Sequence, residues 1–264
     1  MASFKPRYVE VPTGRKYGAG TMLNSLSLQS FRKFNPNILG LDDIDAEADE
    51  IHALAAVFDL EGFTSFCHRA GSHLEVPEYL NEFLRWLFDD IADLFKEGQR
   101  KNRVRVWGSL PFFAKFMGDG VLFLWDTQHS GEETGLGNII QRLNAIRLRY
   151  SSNFIPYIRT KIDNPPSRLR CGIARDKVMS ISNGQDYVGS CINIAARLQK
   201  IGKLGFAFKR TGLDPTKCFN KSDAKHLLIK KVNIRGIGDD KLIVVLRKEY
   251  EELTSREKSK FRDP

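Results

Sequence analysis

Two aspartates, Asp59 and Asp119, are the residues of this chain whose placement most clearly suits chemistry. Asp59 ends an apolar run at 52–59 that has the length of a buried strand, and Asp119 stands between two glycines in a tight-turn sequence. Carboxylates at the ends of neighbouring strands can hold two divalent cations side by side. Such cations activate one attacking oxygen and stabilise a departing one, so the pair indicates phosphoryl or nucleotidyl transfer.

The elements that must position these carboxylates are predicted from hydrophobic spacing. The stretch 110–125 predicts two strands that fold back at the glycine–aspartate–glycine turn. Apolar residues at helical spacing predict one helix that starts at Pro77 and another over 139–154. Further strands are predicted at 103–107, 169–174, 178–181, 226–234 and 241–246, and a further helix through 193–199. Because strands and helices alternate irregularly and hairpins occur, this order favours an α+β sandwich over a doubly wound parallel fold.

Composition narrows the class of partner. The 264 residues are 42% hydrophobic, enough for one large core, and the net charge of +9 suits nucleic acid, an anionic membrane or an anionic small substrate. No sequence signature of a nucleic-acid-binding module occurs, so we expect no specific nucleic-acid partner, with nonspecific binding as a lesser alternative. No apolar run approaches the roughly 20 residues of a membrane span. The four cysteines form no CxxC pair, and we expect a cytoplasmic protein with no membrane partner.

Three short motifs follow one another along the chain. They are FDLEGFT at 58–64, KFMGDG at 115–120 and NIAARL at 193–198. Together they resemble the D-x-x-G-F-T, K-x-x-G-D and N-x-A-[AS]-R signatures of class III nucleotidyl cyclase catalytic domains, over about 52–246. This resemblance implies a ferredoxin-like sandwich with a mixed, mostly antiparallel sheet and helices packed on it. It also implies a head-to-tail homodimer whose active sites each draw on both subunits.

The resemblance assigns metal ligands first. It implies that Asp59 and Asp119, with the Leu60 carbonyl, bind two divalent cations, Mn²⁺ or Mg²⁺. One cation would activate the ribose 3′-hydroxyl of a nucleoside triphosphate, and the other would hold its phosphates. Taken singly, an aspartate in an Asp-Gly hairpin is more often a turn residue, but the matching Asp59 reverses that interpretation.

Substrate-binding residues are implied in the same way. The backbone N–H groups of Gly62, Phe63 and Thr64 would cradle phosphate oxygens at the start of a helix. Asn193 would orient the ribose, and Arg197, four residues later on the same helix face, would stabilise charge on the α-phosphate in the transition state. Arg235 stands where the family carries a lysine that binds the triphosphate, and its guanidinium would serve there as well. Outside this context, Asn193 and Arg197 would be an ordinary solvated face.

The base that the site reads has two interpretations. Lys115 and Asp186 occupy the positions of the adenine-reading residues of adenylate cyclases, so this pair implies ATP. The segment 183–191 is shorter than in many cyclases, however, and the chain resembles the stand-alone pyrimidine cyclases of bacterial Pycsar anti-phage systems. That resemblance implies UTP or CTP as substrate, and cyclic UMP or cyclic CMP as a messenger for a separate effector that binds it. We favour the pyrimidine interpretation, with adenylate cyclase as the alternative.

A third interpretation is an inactive cyclase-like binding module. It predicts the loss of a metal-binding carboxylate or of the transition-state arginine, and neither is lost in this sequence. Along the chain, we predict an N-terminal extension at 1–50, the cyclase catalytic domain at 51–250 and a charged C-terminal tail at 251–264. We expect the tail to fray.

Overall fold

The computed structural model describes residues 7, 9–12, 22–33, 40–41, 45–100, 102–128 and 133–264. The other residues of the predicted N-terminal extension lie outside this description. The chain divides into two compact units. The smaller unit contains Met1–Glu50 and Met179–Val188, and the larger unit contains Ile51–Val178 and Gly189–Pro264.

The strands are numbered in chain order. They are β1 (Val9–Pro12), β2 (Met22–Ser25), β3 (Glu50–Glu61), β4 (Lys96–Arg100), β5 (Arg103–Val106), β6 (Phe113–Phe116), β7 (Gly120–Asp126), β8 (Arg168–Ile181), β9 (Asp186–Val188), β10 (Phe206–Lys209), β11 (Leu227–Ile234), β12 (Gly238–Leu246) and β13 (Phe261–Arg262). The helices are α1 (Leu28–Arg32), α2 (Phe63–Cys67), α3 (Ser72–Phe95), α4 (Glu133–Arg149), α5 (Ile155–Ile158), α6 (Ser190–Leu198), α7 (Pro215–Cys218), α8 (Lys221–Ala224), α9 (Arg247–Glu251) and α10 (Ser255–Lys258). A π-helical segment, Tyr150–Phe154, joins α4 to α5. Among the described helices, none is both long and apolar enough to cross a membrane.

The smaller unit contains two local strand pairs. β1 and β2 pair antiparallel. β9 pairs antiparallel with the last residues of β8, so that Asp186 lies opposite Ile181. Asp49 and Ser180 exchange two hydrogen bonds, since the Ser180 N–H donates to the Asp49 carbonyl (2.9 Å) and the Asp49 N–H donates to Ser180 Oγ (2.8 Å).

One mixed sheet organises the larger unit, in the order β13-β11-β12-β10-β8-β3-β7-β6. The pairs β3·β7, β6·β7, β10·β12, β11·β12 and β11·β13 are antiparallel, whereas β8 and β10 run parallel. Residues 53–60 of β3 are at most 2% exposed, because this central strand is covered on both faces. The α+β fold with a mixed, mostly antiparallel sheet is therefore confirmed.

The helices supply the apolar face that covers this sheet. In α3 the buried residues Tyr79, Phe83, Leu87, Ile91 and Phe95 recur every four positions and so form one side of the helix. They join the buried residues of β3, β7 and α4 in one core. α3 begins at Ser72, five residues before the predicted start at Pro77, so the proline lies inside the helix.

The C-terminal residues do not fray. α10 begins with a capping box, in which the Thr254 hydroxyl accepts from the Glu257 N–H and the Glu257 carboxylate accepts from the Thr254 N–H. Phe261 is 7% exposed, and β13 extends the sheet by pairing with β11. The expectation of a frayed tail was wrong, because these caps and one buried aromatic residue hold the segment in place.

Candidate active site

Strand register brings the two predicted metal-binding aspartates together. In the β3·β7 pair Asp59 lies opposite Gly120, the residue after Asp119. The Leu60 N–H also donates to the Asp119 carbonyl at 2.9 Å. Glycine is required at 120, since a Cβ there would lie 2.1 Å from the Phe58 carbonyl oxygen. Asp59, Leu60 and Asp119 therefore occupy adjacent positions at one end of two neighbouring strands.

The Asp59 carboxylate is buried and engaged by two cations of the same chain. It is 2% exposed. Arg170, on the adjacent strand β8, donates to Oδ2 through Nε at 3.1 Å and through Nη2. Lys200 Nζ lies 3.4 Å from Oδ1. Both oxygens of this carboxylate are therefore paired within the protein.

Asp119 has different surroundings. It is half-buried, and no described residue forms a hydrogen bond or ion pair with its carboxylate. Its position is held by the backbone, through Gly118 at φ +91° and the bond from Leu60. Thus Asp59 is ion-paired with its neighbours, whereas Asp119 has no such partner in the part of the chain that the structure describes.

These donors suit a hard divalent cation that is shared with a phosphate ligand. Carboxylate and backbone carbonyl oxygens are the ligands that Mg²⁺ and Mn²⁺ prefer. No cluster of three or more His, Cys, Asp or Glu side chains suited to a metal occurs among the described residues. Sites that hold Mg²⁺ with nucleotides often use one or two carboxylates and complete the shell with phosphate oxygens and water. The Asp59 and Asp119 pair fits that pattern, provided that Arg170 and Lys200 release one oxygen of Asp59.

The predicted phosphate cradle lies immediately after β3. Gly62 adopts φ +84° and precedes the short helix α2, whose first two residues are Phe63 and Thr64. Phe63 is buried against the core, whereas Gly62 and Thr64 are exposed. The three residues therefore follow Asp59 directly, with Phe63 anchoring the turn.

Asn193 and Arg197 project from the exposed face of α6. The opposite face buries Cys191, Ile194, Ala195 and Leu198. α6 lies close to β8 because position 172 is glycine: a Cβ there would lie 2.1 Å from the Ala195 carbonyl oxygen. This packing orients the polar face of α6 outward.

The start of α6 is held by Asp176. Ser190 Oγ donates to Asp176 Oδ2 at 3.0 Å, and Lys209 Nζ lies 3.5 Å from the same oxygen. Burial alone would raise the pKa of Asp176, but hydrogen bonds from the Lys177 N–H and the Ser190 hydroxyl, with the charge of Lys209, hold the pKa below its ordinary value. The carboxylate is thus kept ionised where it supports the helix.

A cavity of about 600 Å³ opens beside α6 and is strongly cationic. The basic residues that line it are Arg197, Lys200, Arg235, Lys260 and Arg262, and no acidic side chain is among its lining residues. The cavity brings together Arg197, which is predicted to stabilise charge on the α-phosphate in the transition state, and Arg235, which is predicted to bind the triphosphate. Since Lys200 also contacts Asp59, the cavity adjoins the carboxylate pair within one chain. Such an arrangement suits a ligand with several negative charges.

The two predicted base-reading residues lie in different units. Lys115 is exposed on β6, opposite Leu122 of β7. Asp186 belongs to β9 of the smaller unit, where its carboxylate accepts from the Tyr187 N–H at 2.9 Å. Their joint role in base recognition stays a prediction.

Four cations of this region were not predicted from the sequence: Arg170, Lys200, Lys260 and Arg262. Two of them left a signal. Arg170 interrupts a strand between buried Leu169 and Cys171, and a charge in such a place needs a partner. Lys200 lies three residues after Arg197, in the turn just beyond α6, where its N–H donates to the Arg197 carbonyl at 3.1 Å.

Comparisons with known proteins identify the fold. No family model and no curated protein matches the sequence. The adenylyl cyclase CyaB from P. aeruginosa aligns over 76% of this chain and 96% of its own, with TM-score 0.54 and 15% identity. The guanylyl cyclase Cya2 aligns over 76% and 94%, with TM-score 0.56 and 17% identity. The catalytic core of a rhodopsin-guanylyl cyclase with converted specificity, in complex with ATPαS, aligns over 76% and 98%, with TM-score 0.50 and 19% identity. The chain therefore has the fold of class III cyclase catalytic domains.

Proposed function

We propose that this chain is a two-metal nucleotidyl cyclase that converts a nucleoside triphosphate into a 3′,5′-cyclic nucleotide and pyrophosphate. The observation that carries the proposal is the β3·β7 register, which sets Asp59 beside Asp119 in a fold shared with cyclases. A cationic cavity next to this pair supplies the second requirement, a place for the phosphates.

The reaction transfers the α-phosphate within one molecule. The ribose 3′-hydroxyl gives up its proton to solvent water, and its oxygen bonds to the α-phosphorus. The bond from the α-phosphorus to the oxygen shared with the β-phosphate breaks, and pyrophosphate leaves with that electron pair. Two divalent cations bound by Asp59, Asp119 and the Leu60 carbonyl would acidify the 3′-hydroxyl and offset the charge of the phosphates. Arg197 stabilises charge that develops at the α-phosphate, and Asn193 orients the ribose. The backbone at 62–64 and the guanidinium of Arg235 hold the remaining phosphates.

We further propose that the active unit is a head-to-tail homodimer. In this arrangement Asp59 and Asp119 of one chain act with Lys115, Asn193, Arg197 and Arg235 of the other. Exposed apolar side chains support this dimer, because such a patch on a protein surface often marks an interface. Six apolar residues in β5, in β6 and between these strands are 40% to 54% exposed: Val104, Val106, Trp107, Leu110, Phe112 and Phe116. The alternative is an active site formed within one chain, and the contact of Lys200 with Asp59 favours that arrangement.

For the substrate we propose a pyrimidine nucleotide, UTP or CTP, whose cyclic product would signal to a separate effector in anti-phage defence. The support is local: Phe113 and Lys115 alternate onto one face of β6, so a bulky ring lies next to the residue that would read the base. A large side chain there favours the smaller bases. ATP is the alternative, since Lys115 and Asp186 match residues that read adenine.

A cyclase-like binding module without activity is the second candidate function. The ion pairs of Asp59 favour it, because a carboxylate held by both Arg170 and Lys200 must be released before it can bind a cation. This candidate predicts that nucleotides bind but are not turned over.

One assay separates these functions. The purified protein is incubated separately with ATP, GTP, CTP and UTP in the presence of Mn²⁺, and the products are identified by mass. The proposal predicts one dominant cyclic nucleotide and none from the Asp119→Asn variant. A cyclic UMP or cyclic CMP product supports the pyrimidine assignment, and cyclic AMP supports the alternative. Binding without any cyclic product would refute the cyclase and support the inactive module.

A further inference from the structure

The C-terminal segment, residues 254–262, is anchored to the larger unit on both of its sides. Its first turn is closed by the Thr254 and Glu257 capping box. At its end, Phe261 packs edge-on against Tyr250, with ring centroids 5.6 Å apart and an interplanar angle of 84°. The segment is therefore an integral wall of the unit and can hold a functional side chain in a fixed place.

This wall turns charged residues toward the cationic cavity. Phe261 lies opposite Val232 of β11, and both side chains are buried. Because side chains alternate along a strand, Arg262 faces away from Phe261. Lys260 lies in the turn between α10 and β13, where its N–H donates to the Glu257 carbonyl at 3.2 Å. Both Lys260 and Arg262 line the cavity with Arg197.

The two cations of the wall differ in what they contact. Arg262 donates to Asn233 Oδ1 at 2.8 Å and pairs with Asp240 at 2.8 Å, so structural contacts already engage it. Lys260 is exposed, and no described residue forms a hydrogen bond or ion pair with its ammonium group. Lys260 is thus a cation of the wall that is available to a ligand.

The positively charged neighbours of Lys260 favour an anionic ligand in the cavity. Arg197 and Arg235 reach the same cavity, and neither has an ion-pair partner among the described residues. Lys200 and Arg262 are paired with Asp59 and Asp240, so the charges left in this cavity of about 600 Å³ are those of Arg197, Arg235 and Lys260, and their mutual repulsion favours binding of an anion between them. A chain of phosphates, with several charged oxygens, meets this requirement better than a single carboxylate.

We propose that Lys260 binds the terminal phosphates of the substrate, so that the C-terminal segment is part of the triphosphate site. This inference rests on the proposed function for the identity of the substrate. Lys260 acts as a binding residue: it contributes to affinity for the β- and γ-phosphates, and the bond changes at the α-phosphate do not involve it. Loss of its charge should therefore raise KM and leave kcat nearly unchanged.

The test measures binding of inorganic tripolyphosphate to the full chain by calorimetry, for the wild type, Lys260→Gln, Lys260→Arg and a matched control, Lys248→Gln. Lys248 is exposed on α9 and lies outside the cavity lining, so its variant removes one positive charge without touching the site. We expect Lys260→Gln to bind about fivefold more weakly, since an exposed ion pair contributes up to roughly that factor. Lys260→Arg and Lys248→Gln should bind like the wild type, with equal melting temperatures for all four proteins.

Three results would overturn the inference. The first is equal affinity of Lys260→Gln and the wild type for tripolyphosphate. The second is an equal loss of affinity in Lys260→Gln and Lys248→Gln, which would indicate nonspecific electrostatic attraction. The third is measured with a nucleic acid. A single-stranded oligonucleotide is titrated in parallel, and tighter binding of it through Lys260 would assign the cavity to nucleic acid instead. If tripolyphosphate binds through Lys260 but no triphosphate is cyclised, the proposed function fails alone. If a cyclic product forms but Lys260→Gln changes neither affinity nor KM, only this inference fails.

Discussion

Asp59→Asn and Asp119→Asn each remove one carboxylate of the same pair, yet the two variants should differ in stability. Asp59 is 2% exposed and bonded to Arg170, whose side chain is only 15% exposed. The substitution leaves that guanidinium without its main counter-ion. Asp119 is half-buried and held through its backbone, so its amide variant disturbs no described ion pair.

The size of the difference follows from these contacts. Removing one partner of a buried ion pair costs roughly 3 to 5 kcal/mol. Here the cost is smaller, because Glu61 remains 4.0 Å from Arg170 and the Lys200 side chain, which is 55% exposed, can be hydrated. We therefore expect Asp59→Asn to lower the free energy of unfolding by about 2 to 3 kcal/mol, which corresponds to roughly 5 to 10 °C in Tm for a chain of this size. Asp119→Asn should change it by less than about 0.5 kcal/mol.

The assay combines calorimetry with turnover of the preferred triphosphate. Both variants should lose turnover by roughly a thousandfold, because each removes charge that holds a catalytic cation. Asp89→Asn is the matched control: Asp89 is exposed on α3, and its variant should keep both Tm and turnover. Equal melting temperatures for Asp59→Asn and Asp119→Asn would refute the importance of the ion pair with Arg170. Full turnover by either variant would refute the metal assignment.

Three further predictions concern α6. Arg197→Ala should lower kcat by about a hundredfold or more with little change in KM, and equal losses in both constants by steady-state kinetics would contradict a role in the transition state. Mixing inactive Asp119→Asn and Arg197→Ala proteins should restore activity in a shared dimeric site, whereas a site within one chain gives no recovery. Asp176→Asn should loosen the start of α6 and reduce turnover with Arg197 intact. The pKa of Asp176 is lowered in the folded protein, so its carboxylate contributes its full stabilisation at pH values above the ordinary pKa of 3.8. This stabilisation is lost as the pH falls through the lowered pKa. The melting temperatures of the wild type and Asp176→Asn should therefore converge at low pH.

The carboxylate pair could be predicted because its causes are local. An apolar run that ends at Asp59 and a glycine-flanked Asp119 specify a strand end and a hairpin turn, and β3 and β7 form the expected neighbours. The polar face of α6 was equally accessible, since Asn193 and Arg197 are four residues apart on a helix.

The contacts around that pair could not be predicted, because they depend on strand order. Arg170 reaches Asp59 only because β8 lies beside β3, across a separation of 111 residues. The wall formed by the C-terminal segment depends likewise on β13 joining β11 at the edge of the sheet. The start of α10 could be predicted from sequence, however, since Thr254 and Glu257 have the spacing of a capping box.

The start of α3 shows a different kind of failure. Proline is favoured in the first turn of a helix, so Pro77 predicted the first residue. Instead, α3 begins at Ser72, whose hydroxyl donates to the Cys67 carbonyl, after Gly71 turns the chain with φ +80°. Pro77 has no N–H to donate to the His73 carbonyl, and the helix is held there by tertiary contacts of Tyr79 and Phe83 with Tyr150 and Phe154.

The most direct test of the central claim counts the cations that Asp59 and Asp119 hold together. Mn²⁺ binding is followed by electron paramagnetic resonance with the 3′-deoxy form of the preferred triphosphate, which lacks the attacking hydroxyl and cannot be cyclised. The wild type should bind two Mn²⁺ per active site, beyond those bound by the nucleotide alone, and Asp119→Asn should bind fewer and more weakly. Identical Mn²⁺ stoichiometry and affinity in the wild type, Asp59→Asn and Asp119→Asn would contradict the account.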